Sequence, residues 1–377
     1  MSQNRVIKIG NRLVGDGQRI FLTGEIGVAH GGSMENAKIL IKAAADAGCD
    51  GVDMFMTDVQ EFYWRNPKGD RDFFKEWPAE SFTLPQWREL IDYGKSLDLI
   101  VYPTPLDPHA MEWCRELKVE MININSVDHS NIQLLRQAAT LGCPITMHDI
   151  DQSLTEAEGA VRTLLDSGAK DIIILHSTME TGDDEEGYAT ANLNVMKTYR
   201  QAFGDLGVLA GCVEHTTSDY LIYAVAALQP ALISKHIKLD DTVPHDRTIA
   251  VKYDDLKTMV LRVRRVEKAL GNGQNQRIVH EENGVQVRSR NKVLVAARDI
   301  PAGKVIEDAD LIAKRPGDFG GLHPWMVRQL VGATAARDLP RNTLLHLKDF
   351  TEIPDPAYKF PELDGVVLND QGKVVAV

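Results

Sequence analysis

Short apolar runs rich in β-branched residues alternate with amphipathic stretches along the first two thirds of the chain. Between the apolar runs, apolar residues recur every three or four positions, which is typical of helices that bury one face. Eight such strand–helix units within about 250 residues predict a (β/α)8 TIM barrel, because a doubly wound sheet rarely needs so many successive units. The predicted strands cover residues 20–26, 51–56, 99–104, 120–126, 143–148, 171–177, 207–212 and 231–237.

Turn and capping residues mark where several of these elements begin and end. Gly10-Asn11 stands between two alternating runs and predicts a small β-hairpin near the start of the chain. Ser33 precedes the first helical pattern as a candidate N-cap, and Gly48 follows that pattern as a stop signal. A longer amphipathic pattern over 254–271 closes the region. These signals place a barrel domain at residues 1–271.

The character of the sequence changes after residue 271. Residues 272–288 are polar, rich in Gly and Asn and without periodicity, which indicates a linker. Residues 289–351 contain two similar phrases, AARDIPAGKVI and AARDLPRNTLL, each of which predicts a strand, a Pro-containing turn and a second strand. We therefore predict a small β-rich domain with an internal near-repeat, followed by a tail at 352–377 that holds a hairpin around 369–372.

The composition favours a soluble cytoplasmic protein and disfavours two classes of partner. The 377 residues carry a formal net charge of −12 without an extended cluster of Lys and Arg, whereas nucleic acids and anionic membranes attract basic surfaces. The first residues contain no apolar signal region, and no apolar run approaches the roughly 18 residues of a membrane span. The four cysteines are scattered without CxxC spacing, which indicates reduced core thiols.

Titratable and hydroxyl side chains gather at the carboxyl ends of the predicted strands, where TIM barrels carry out their chemistry. Imidazole and carboxylate groups suit ions such as Mn²⁺, Zn²⁺ or Fe²⁺. Because His215 and His236 end neighbouring strands, we predict that they share one metal ion, the alternative being that each only hydrogen-bonds a loop. His148, His176 and His30 either contact substrate or simply pack within the fold. The strand-end residues are Glu25, Asp53, Thr104, Ser126, Asp128, His148, Asp149, His176, Glu214, His215 and His236.

Signatures of several other enzyme classes are missing from the chain. No P-loop or GxGxxG phrase follows a predicted strand, and no GxSxG phrase is present. A phosphate-cradling loop or an exposed nucleophilic serine would need those patterns. The sequence therefore disfavours nucleotide-dependent transfer and serine hydrolysis.

Several phrases resemble the sialic acid synthase family. They are GEIGVAHGGSMENAKILIKAAADAGCDGV, YPTPLDPHAMEWCRELKV, EHT and SKHIKLD. The second domain, with KRPG at Lys314–Gly317, is similar to the antifreeze-like SAF domain that follows the barrel in that family. The likeness runs from about residue 15 to about residue 350, and the order of the motifs is specific.

The resemblance implies a reaction, a cofactor and an assembly. Members of the family condense phosphoenolpyruvate with an aldose such as N-acetylmannosamine, which gives a 2-keto-3-deoxy sugar acid. The resemblance implies a divalent metal, often Mn²⁺, bound by His215 and His236, with Glu25 supporting its water shell. It also implies that Arg315 of the KRPG phrase reaches from the small domain into the barrel of a partner subunit, as in a domain-swapped homodimer.

Key positions of this chain depart from the family pattern. Asp53 and Asn123 stand where the family has lysines that hold the donor. Asp128 stands in place of an acid/base Glu, and His148 lies in MHDI, where the family has an STGM-like phrase that holds phosphate. Ser126 is retained. Phosphoenolpyruvate carries two to three negative charges, and each charge-assisted hydrogen bond lost costs on the order of 1.5–3 kcal/mol.

Two enzyme hypotheses follow, and neither predicts nucleic acid or membrane as a partner. In the first, the chain still joins a three-carbon donor to a sugar aldehyde through a rebuilt donor site. In the second, a metal-dependent aldolase, lyase or isomerase has abandoned phosphoenolpyruvate, and its carboxylates hold sugar hydroxyls. A binding protein on an inactive barrel is disfavoured by the many titratable groups at the strand ends. We assign catalysis to Glu25, Asp53 and Asp128, and substrate binding to Thr104, Asn123, Ser126, His148, Lys238 and Arg315, with Arg65 and Lys68 as compensating or surface cations.

Overall fold

The computed structural model describes residues 5–64, 81–150, 152–177, 185–216, 220–242, 249–272, 292–315, 321–354, 366–368 and 374–376. The chain forms two compact units, Met1–Gly273 and Gln274–Val377. None of the helices in these ranges is long and apolar enough to cross a membrane. The predicted linker lies outside the described residues except for Asn272, and so do Arg65 and Lys68.

A β-hairpin opens the first unit, as the Gly10-Asn11 turn signal predicts. Strand β1 (Val6–Ile9) pairs antiparallel with β2 (Arg12–Gly15). Gly10 adopts a left-handed conformation with φ of +55°, which glycine reaches without steric cost. Apolar side chains of the hairpin pack inside the barrel against Phe21 and Ile100, which begin two of the barrel strands. The hairpin therefore covers the amino-terminal end of the barrel.

Eight parallel strands form the barrel, which confirms the predicted (β/α)8 fold. They are β3 (Phe21–Gly27), β4 (Gly51–Met56), β5 (Ile100–Pro105), β6 (Ile122–Ile124), β7 (Ile145–Asp149), β8 (Ile172–Ser177), β9 (Leu209–Glu214) and β10 (Leu232–Lys238). Hydrogen-bonded neighbours follow the order β5-β4-β3-β10-β9-β8-β7-β6. Strand β5 also packs beside β6, so the barrel is nearly closed. The short strand β11 (Val251–Lys252) adds to β10.

Helices surround the strands, and the longer ones each bury an apolar face. The first begins where Ser33 accepts a hydrogen bond from the backbone of Asn36, and it ends at Gly48 with φ of +87°, as the capping signals predict. The helices are α1 (Met34–Ala47), α2 (Val59–Phe62), α3 (Leu84–Ser96), α4 (Pro108–Leu117), α5 (Ile132–Ala139), α6 (Leu154–Asp166), α7 (Glu185–Thr190), α8 (Val195–Phe203), α9 (Tyr220–Ala227) and α10 (Tyr253–Leu270). The largest apolar core lies between these helices and the strands.

The second unit contains two short antiparallel strand pairs around its own apolar core. Strand β12 (Val293–Ala296) pairs with β13 (Leu311–Lys314), and β14 (Thr334–Ala335) pairs with β15 (Phe350–Thr351). Helix α11 (Val327–Leu330) lies between the two pairs in sequence. In the tail, β16 (Val366–Leu368) pairs antiparallel with β17 (Val374–Ala376), as the predicted hairpin requires.

The near-repeat of the second unit is also a structural repeat. Arg298 donates from Nε to the carboxylate of Asp310, and Arg337 does the same to Asp349, each across twelve positions. The second oxygen of each Asp accepts a backbone N–H three residues upstream, at 2.8 Å in both copies. Both carboxylates are fully buried. The two phrases therefore build the same turn, held by a buried carboxylate and an arginine.

Two parts of the barrel differ from the sequence prediction. Strand β6 is shorter than the predicted 120–126, because Ser126–Asp128 turn into a 3-10 helix. The amphipathic patterns did not single out α7 and α8, which fill the connection between β8 and β9.

Candidate metal centre and active site

Side chains along a barrel strand alternate between the interior and the surrounding helices. Glu25 on β3 is in register with Asp53 on β4 and with His236 on β10. The three residues therefore stand side by side at the carboxyl ends of neighbouring strands. Buried polar groups at this end include Glu25, Asp53, Thr104, Asn123, His148, His215 and His236.

The two histidines predicted to share a metal ion lie together. The ring centroids of His215 and His236 are 4.9 Å apart. Atom Nε2 of His236 lies 3.4 Å from Oε1 of Glu25, and Ser234 donates a 2.9 Å hydrogen bond to the other Glu25 oxygen. Burial, together with a neighbouring lysine and histidine, lowers the pKa of His236 to about 3. The imidazole is therefore neutral, which is the form that binds metals.

His148 joins this group from strand β7. One ring nitrogen of His148, one oxygen of Glu25 and one oxygen of Asp53 all lie within 4.8 Å of one another. The Nε2 atom of His148 is buried and has no hydrogen-bond partner among the described residues. Burial, and then the neighbouring His215, lower the pKa of His148 to about 3. The sequence predicts a substrate contact for His148, and the structure places it where it can also serve as a metal ligand.

The donor groups fit the divalent ion that the family resemblance implies. Neutral imidazoles and carboxylates are the ligands that Mn²⁺, Fe²⁺ and Zn²⁺ prefer in proteins. His215, His236 and Glu25 converge from adjacent strands. The unpartnered Nε2 of His148 adds a buried donor atom that polar groups of folded proteins rarely leave unused. The residues present therefore match the chemistry of a metal site.

Uncharged donors hold the carboxylate of Asp53. Thr104 donates from Oγ1 to Oδ1 at 2.7 Å, and Asn123 donates from Nδ2 to Oδ2 at 3.1 Å. The Asn123 amide also reaches Thr104 at 2.9 Å, and it accepts a 2.8 Å hydrogen bond from Thr146. Burial raises the pKa of Asp53 to about 7, although these hydrogen bonds oppose the shift. No Lys or Arg of the described chain is an ion-pair partner of this carboxylate.

Thr146 belongs to this network through its hydrogen bond to Asn123, but it is not among the site residues predicted from the sequence. The signal was available, because residues 146 and 148 share one face of β7 and His148 was already a candidate.

Asp128 and Ser126 lie on the 3-10 turn that follows β6. Oδ1 of Asp128 accepts a 2.9 Å hydrogen bond from Asn131, and Oδ2 is buried without a partner among the described residues. Burial raises the pKa of this carboxyl group. No hydrogen bond within the described ranges joins Asp128 or Ser126 to Asp53. The two residues are therefore separate from the hydrogen-bonded network of Asp53.

The two candidate cations differ in their surroundings. Lys238 is buried at the end of β10, two positions after His236, and its Nζ atom lies 2.9 Å from the exposed carboxylate of Asp241. Arg315 follows β13 in the second unit and is exposed.

Three strand-end residues face the helices and not the barrel interior. Asp149 accepts a hydrogen bond from Tyr199 on α8. His176 contacts the backbone oxygen of Ala191 at 2.8 Å. Glu214 forms a buried ion pair with Lys235 at 2.6 Å. Each is adjacent in sequence to an inward-facing residue, so the alternation of the strand turns it outward. These groups stabilise the outer layer of the barrel.

His30 fits the turn after β3. It is fully buried, its ring centroid lies 4.4 Å from that of Phe82, and its Nδ1 atom accepts a 2.9 Å hydrogen bond from the backbone of Gly32. Burial lowers its pKa to about 4. These contacts fit the histidine into the turn, while its buried Nε2 atom has no hydrogen-bond partner among the described residues.

Two family models match this chain, one over the barrel and one over the small unit. The NeuB family model matches residues 40–275. The chain belongs to the NeuB family. The SAF domain model matches residues 291–351, so the barrel and the small unit are the two parts that the sequence resemblance implies. Members of the NeuB family that this chain resembles are named as synthases, and the protein is therefore an enzyme of the synthase type.

The relatives of this NeuB-family chain have low sequence identity to it, but the similarity extends over most of each chain. An N,N'-diacetyllegionaminic acid synthase of Campylobacter jejuni is 26% identical over 87% of this chain and 99% of its own. An uncharacterized protein of Methanocaldococcus jannaschii is 28% identical over 82% of this chain and 89% of its own. The crystal structure of an N-acetylneuraminic acid synthetase from Leptospira borgpetersenii, in complex with citrate, aligns with a TM-score of 0.66 at 24% identity over 76% of this chain and 97% of that one. That structure supports the fold alone.

Proposed function

We propose that this enzyme joins a three-carbon donor to an aldose at a divalent metal ion, which gives a 2-keto-3-deoxy sugar acid. The observation that carries the proposal is the cluster of His215, His236 and Glu25 at the carboxyl end of the barrel. Family membership supports the reaction class, because several relatives are named as synthases of sugar acids.

His215 and His236 would hold the ion, and Glu25 would complete its surroundings. An ion held by these residues would supply polarisation of the aldose carbonyl and would stabilise negative charge on its oxygen. Ser234 keeps the Glu25 carboxylate turned toward His236. Both imidazoles are buried at this end of the barrel.

Asp128 is the proposed proton donor and acceptor. Its carboxyl group is buried, burial raises its pKa, and its Oδ2 atom has no partner among the described residues. A raised pKa makes a carboxyl group more ready to hold a proton, which is a property of a general acid. Asp128 would therefore protonate the aldose oxygen as this oxygen becomes a hydroxyl group.

A second candidate function rests on the contact between Asp53 and Asn123. These residues place a carboxylate and an amide where the family resemblance implies two donor-binding lysines. A phosphorylated donor with two to three negative charges would meet repulsion from Asp53. This observation favours a metal-dependent aldolase, lyase or isomerase that acts on a sugar or keto acid without phosphoenolpyruvate.

Donor identity separates the two candidates in one experiment. The Mn²⁺-loaded protein is incubated with a panel of aldoses and either phosphoenolpyruvate or pyruvate, and products are detected by mass spectrometry. Condensation with phosphoenolpyruvate releases one inorganic phosphate per product, whereas condensation with pyruvate releases none. A product that forms only with pyruvate supports the aldolase candidate. If no product forms with either donor, carbon–carbon bond formation between these substrates is contradicted.

We also propose that Arg315 acts on the barrel of a partner subunit in a homodimer. The resemblance of KRPG to the family phrase and the match to the SAF domain support this. Two inactive variants, His215→Ala and Arg315→Ala, are unfolded together, refolded as a mixture and assayed. Activity near a quarter of the wild-type value is expected, because half of the dimers are mixed and each mixed dimer holds one complete site. Activity absent from the mixture contradicts an action of Arg315 between subunits.

A further inference from the structure

We propose that Glu25, Asp53 and His148 bind a divalent cation of their own, next to the ion proposed for His215 and His236. The barrel mouth would then hold two ions that share Glu25. Occupancy of this additional site does not depend on which donor the enzyme uses.

The three donor atoms lie close enough for one ion. One atom from each residue falls within 4.8 Å of the other two. Two ligands held about 2.2 Å from a common ion are about 3–4.4 Å apart, depending on the angle between them. Small side-chain rotations therefore bring all three atoms into contact with one cation. No larger change of the strands is needed, because Glu25 and Asp53 are already in register.

His148 supplies a ligand atom that the fold leaves unused. The side chain is 3% exposed, and its Nε2 atom has no hydrogen-bond partner among the described residues. Burying a polar nitrogen without a partner costs free energy. A metal ion would satisfy this nitrogen, and His148 is the histidine that shares a group with two carboxylates.

Asp53 is arranged like a ligating carboxylate with supporting donors. Thr104 and Asn123 each donate to one of its oxygens, and each oxygen keeps a second lone pair. Metal-ligating carboxylates are commonly oriented by such neutral hydrogen bonds. Glu25 and Asp53 bring two carboxylates into one buried layer, and no Lys or Arg in the described ranges pairs with Asp53. A divalent cation would balance this charge.

Glu25 connects the additional site with the histidine pair. Its Oε1 atom lies 3.4 Å from Nε2 of His236, and an oxygen of the same carboxylate belongs to the group with Asp53 and His148. A carboxylate between two sets of ligands can bridge two ions, and paired sites of this kind hold their ions about 3.5–4 Å apart. One imidazole and two carboxylates suit Mn²⁺, Fe²⁺ or Mg²⁺ better than thiophilic ions.

Metal stoichiometry tests the additional site without reference to catalysis. The full-length protein is stripped with a chelator, dialysed against Mn²⁺, and its metal content is measured by mass spectrometry. The variants are Asp53→Asn and His148→Gln, and Asp128→Asn is the matched control because that carboxylate lies outside the group. Circular dichroism checks the fold of each variant, and His148→Gln still tests the site if Asp53→Asn does not fold.

Two ions per chain are expected in the wild type and in Asp128→Asn, and one fewer in Asp53→Asn and His148→Gln. An exchange-coupled Mn²⁺ pair signal in the electron paramagnetic resonance spectrum is expected in the wild type and absent from both variants. Equal metal counts in the wild type and in both folded variants would overturn the proposal, since the three side chains would then form a hydrogen-bonded group without an ion.

Discussion

Asn123 donates a hydrogen bond to Asp53 across 3.1 Å, although the two residues are seventy positions apart. They come from β6 and β4, on either side of β5, and Thr104 of β5 bonds to both. These are the two positions at which the family resemblance implies lysines. In this chain the carboxylate and the amide at these positions contact each other directly.

Removal of the Thr104 hydroxyl group should weaken metal binding at the Asp53 side. Thr104→Val keeps the shape of the side chain but deletes the 2.7 Å hydrogen bond to Oδ1. Loss of a hydrogen bond that orients a ligand typically costs 10–100-fold in metal affinity, and we expect a loss of about that size, measured by calorimetry, for the Mn²⁺ ion proposed at Asp53. Thr146→Val, one hydrogen bond further away, should cause a smaller loss. Equal affinities in Thr104→Val and the wild type would show that this bond does not orient a ligand.

Restoring the lysines should favour an anionic donor. The double variant Asp53→Lys with Asn123→Lys exchanges one negative charge for two positive charges at the two positions. Each charge-assisted bond gained contributes on the order of 1.5–3 kcal/mol, so phosphoenolpyruvate should bind at least about tenfold more tightly than to the wild type, as measured by calorimetry. Thermal unfolding confirms that the variant folds. Tighter binding by the wild type would show that another part of the barrel already holds the donor.

The buried His30 should make stability depend on pH. Burial lowers its pKa from 6.5 to about 4 in the folded protein. The neutral His30 therefore adds to the free energy of unfolding above pH 6.5. This stabilisation is lost as the pH falls toward 4, because the histidine of the unfolded chain binds a proton at a higher pH than that of the folded chain. Each unit of difference corresponds to about 1.4 kcal/mol.

His30→Asn keeps an acceptor for the Gly32 backbone but cannot titrate in this range. The difference in free energy of unfolding between wild type and variant should shift by up to about 3 kcal/mol between pH 7 and pH 4. Urea unfolding at several pH values measures this shift. A difference that stays constant over this range would mean that His30 gains a proton without disturbing the fold.

Removal of the buried charge should destabilise both halves of the SAF repeat, although Asp310 has a second cationic partner in Lys304. Asp310→Asn and Asp349→Asn each weaken a buried bond to an arginine. We expect the second unit to lose about 1–3 kcal/mol of stability in each variant, measured by proteolysis of the full chain. The exposed Asp308→Asn serves as the control. If only one variant were destabilised, the two turns would not be energetically equivalent.

The sequence predicted the barrel well because its signals are local and repeated. The caps at Ser33 and Gly48 and the turn at Gly10 depend only on residues a few positions away. The apolar pattern of each strand likewise lies within its own sequence. The same locality explains the missed elements. Ser126–Asp128 carry no feature that distinguishes a 3-10 turn from the end of a strand. Helix α8 begins after Asn194, whose side chain makes no capping hydrogen bond.

The site was predictable only in part, since it is made by contacts between distant strands. His215 and His236 could be paired because their strands are successive, and their rings do meet. The grouping of His148 with Glu25 and Asp53 depends on the curvature of the barrel, which no local pattern encodes. Strict alternation would have removed Asp149, His176 and Glu214 from the candidates, because each follows or precedes an inward-facing residue.

The dependence of product formation on the histidine pair tests the proposed reaction most directly. Chelator-stripped enzyme is assayed with the best aldose and donor while Mn²⁺ is added back, alongside the double variant His215→Ala with His236→Ala and the exposed control His109→Gln. We predict that carbon–carbon bond formation is absent without metal, returns with Mn²⁺ in the wild type and in the control, and stays at least about a thousandfold lower in the double variant, as expected when carbonyl polarisation worth several kcal/mol is lost. Product formation that survives chelation, or that the double variant retains at the wild-type rate, would contradict a metal-dependent condensation at these histidines.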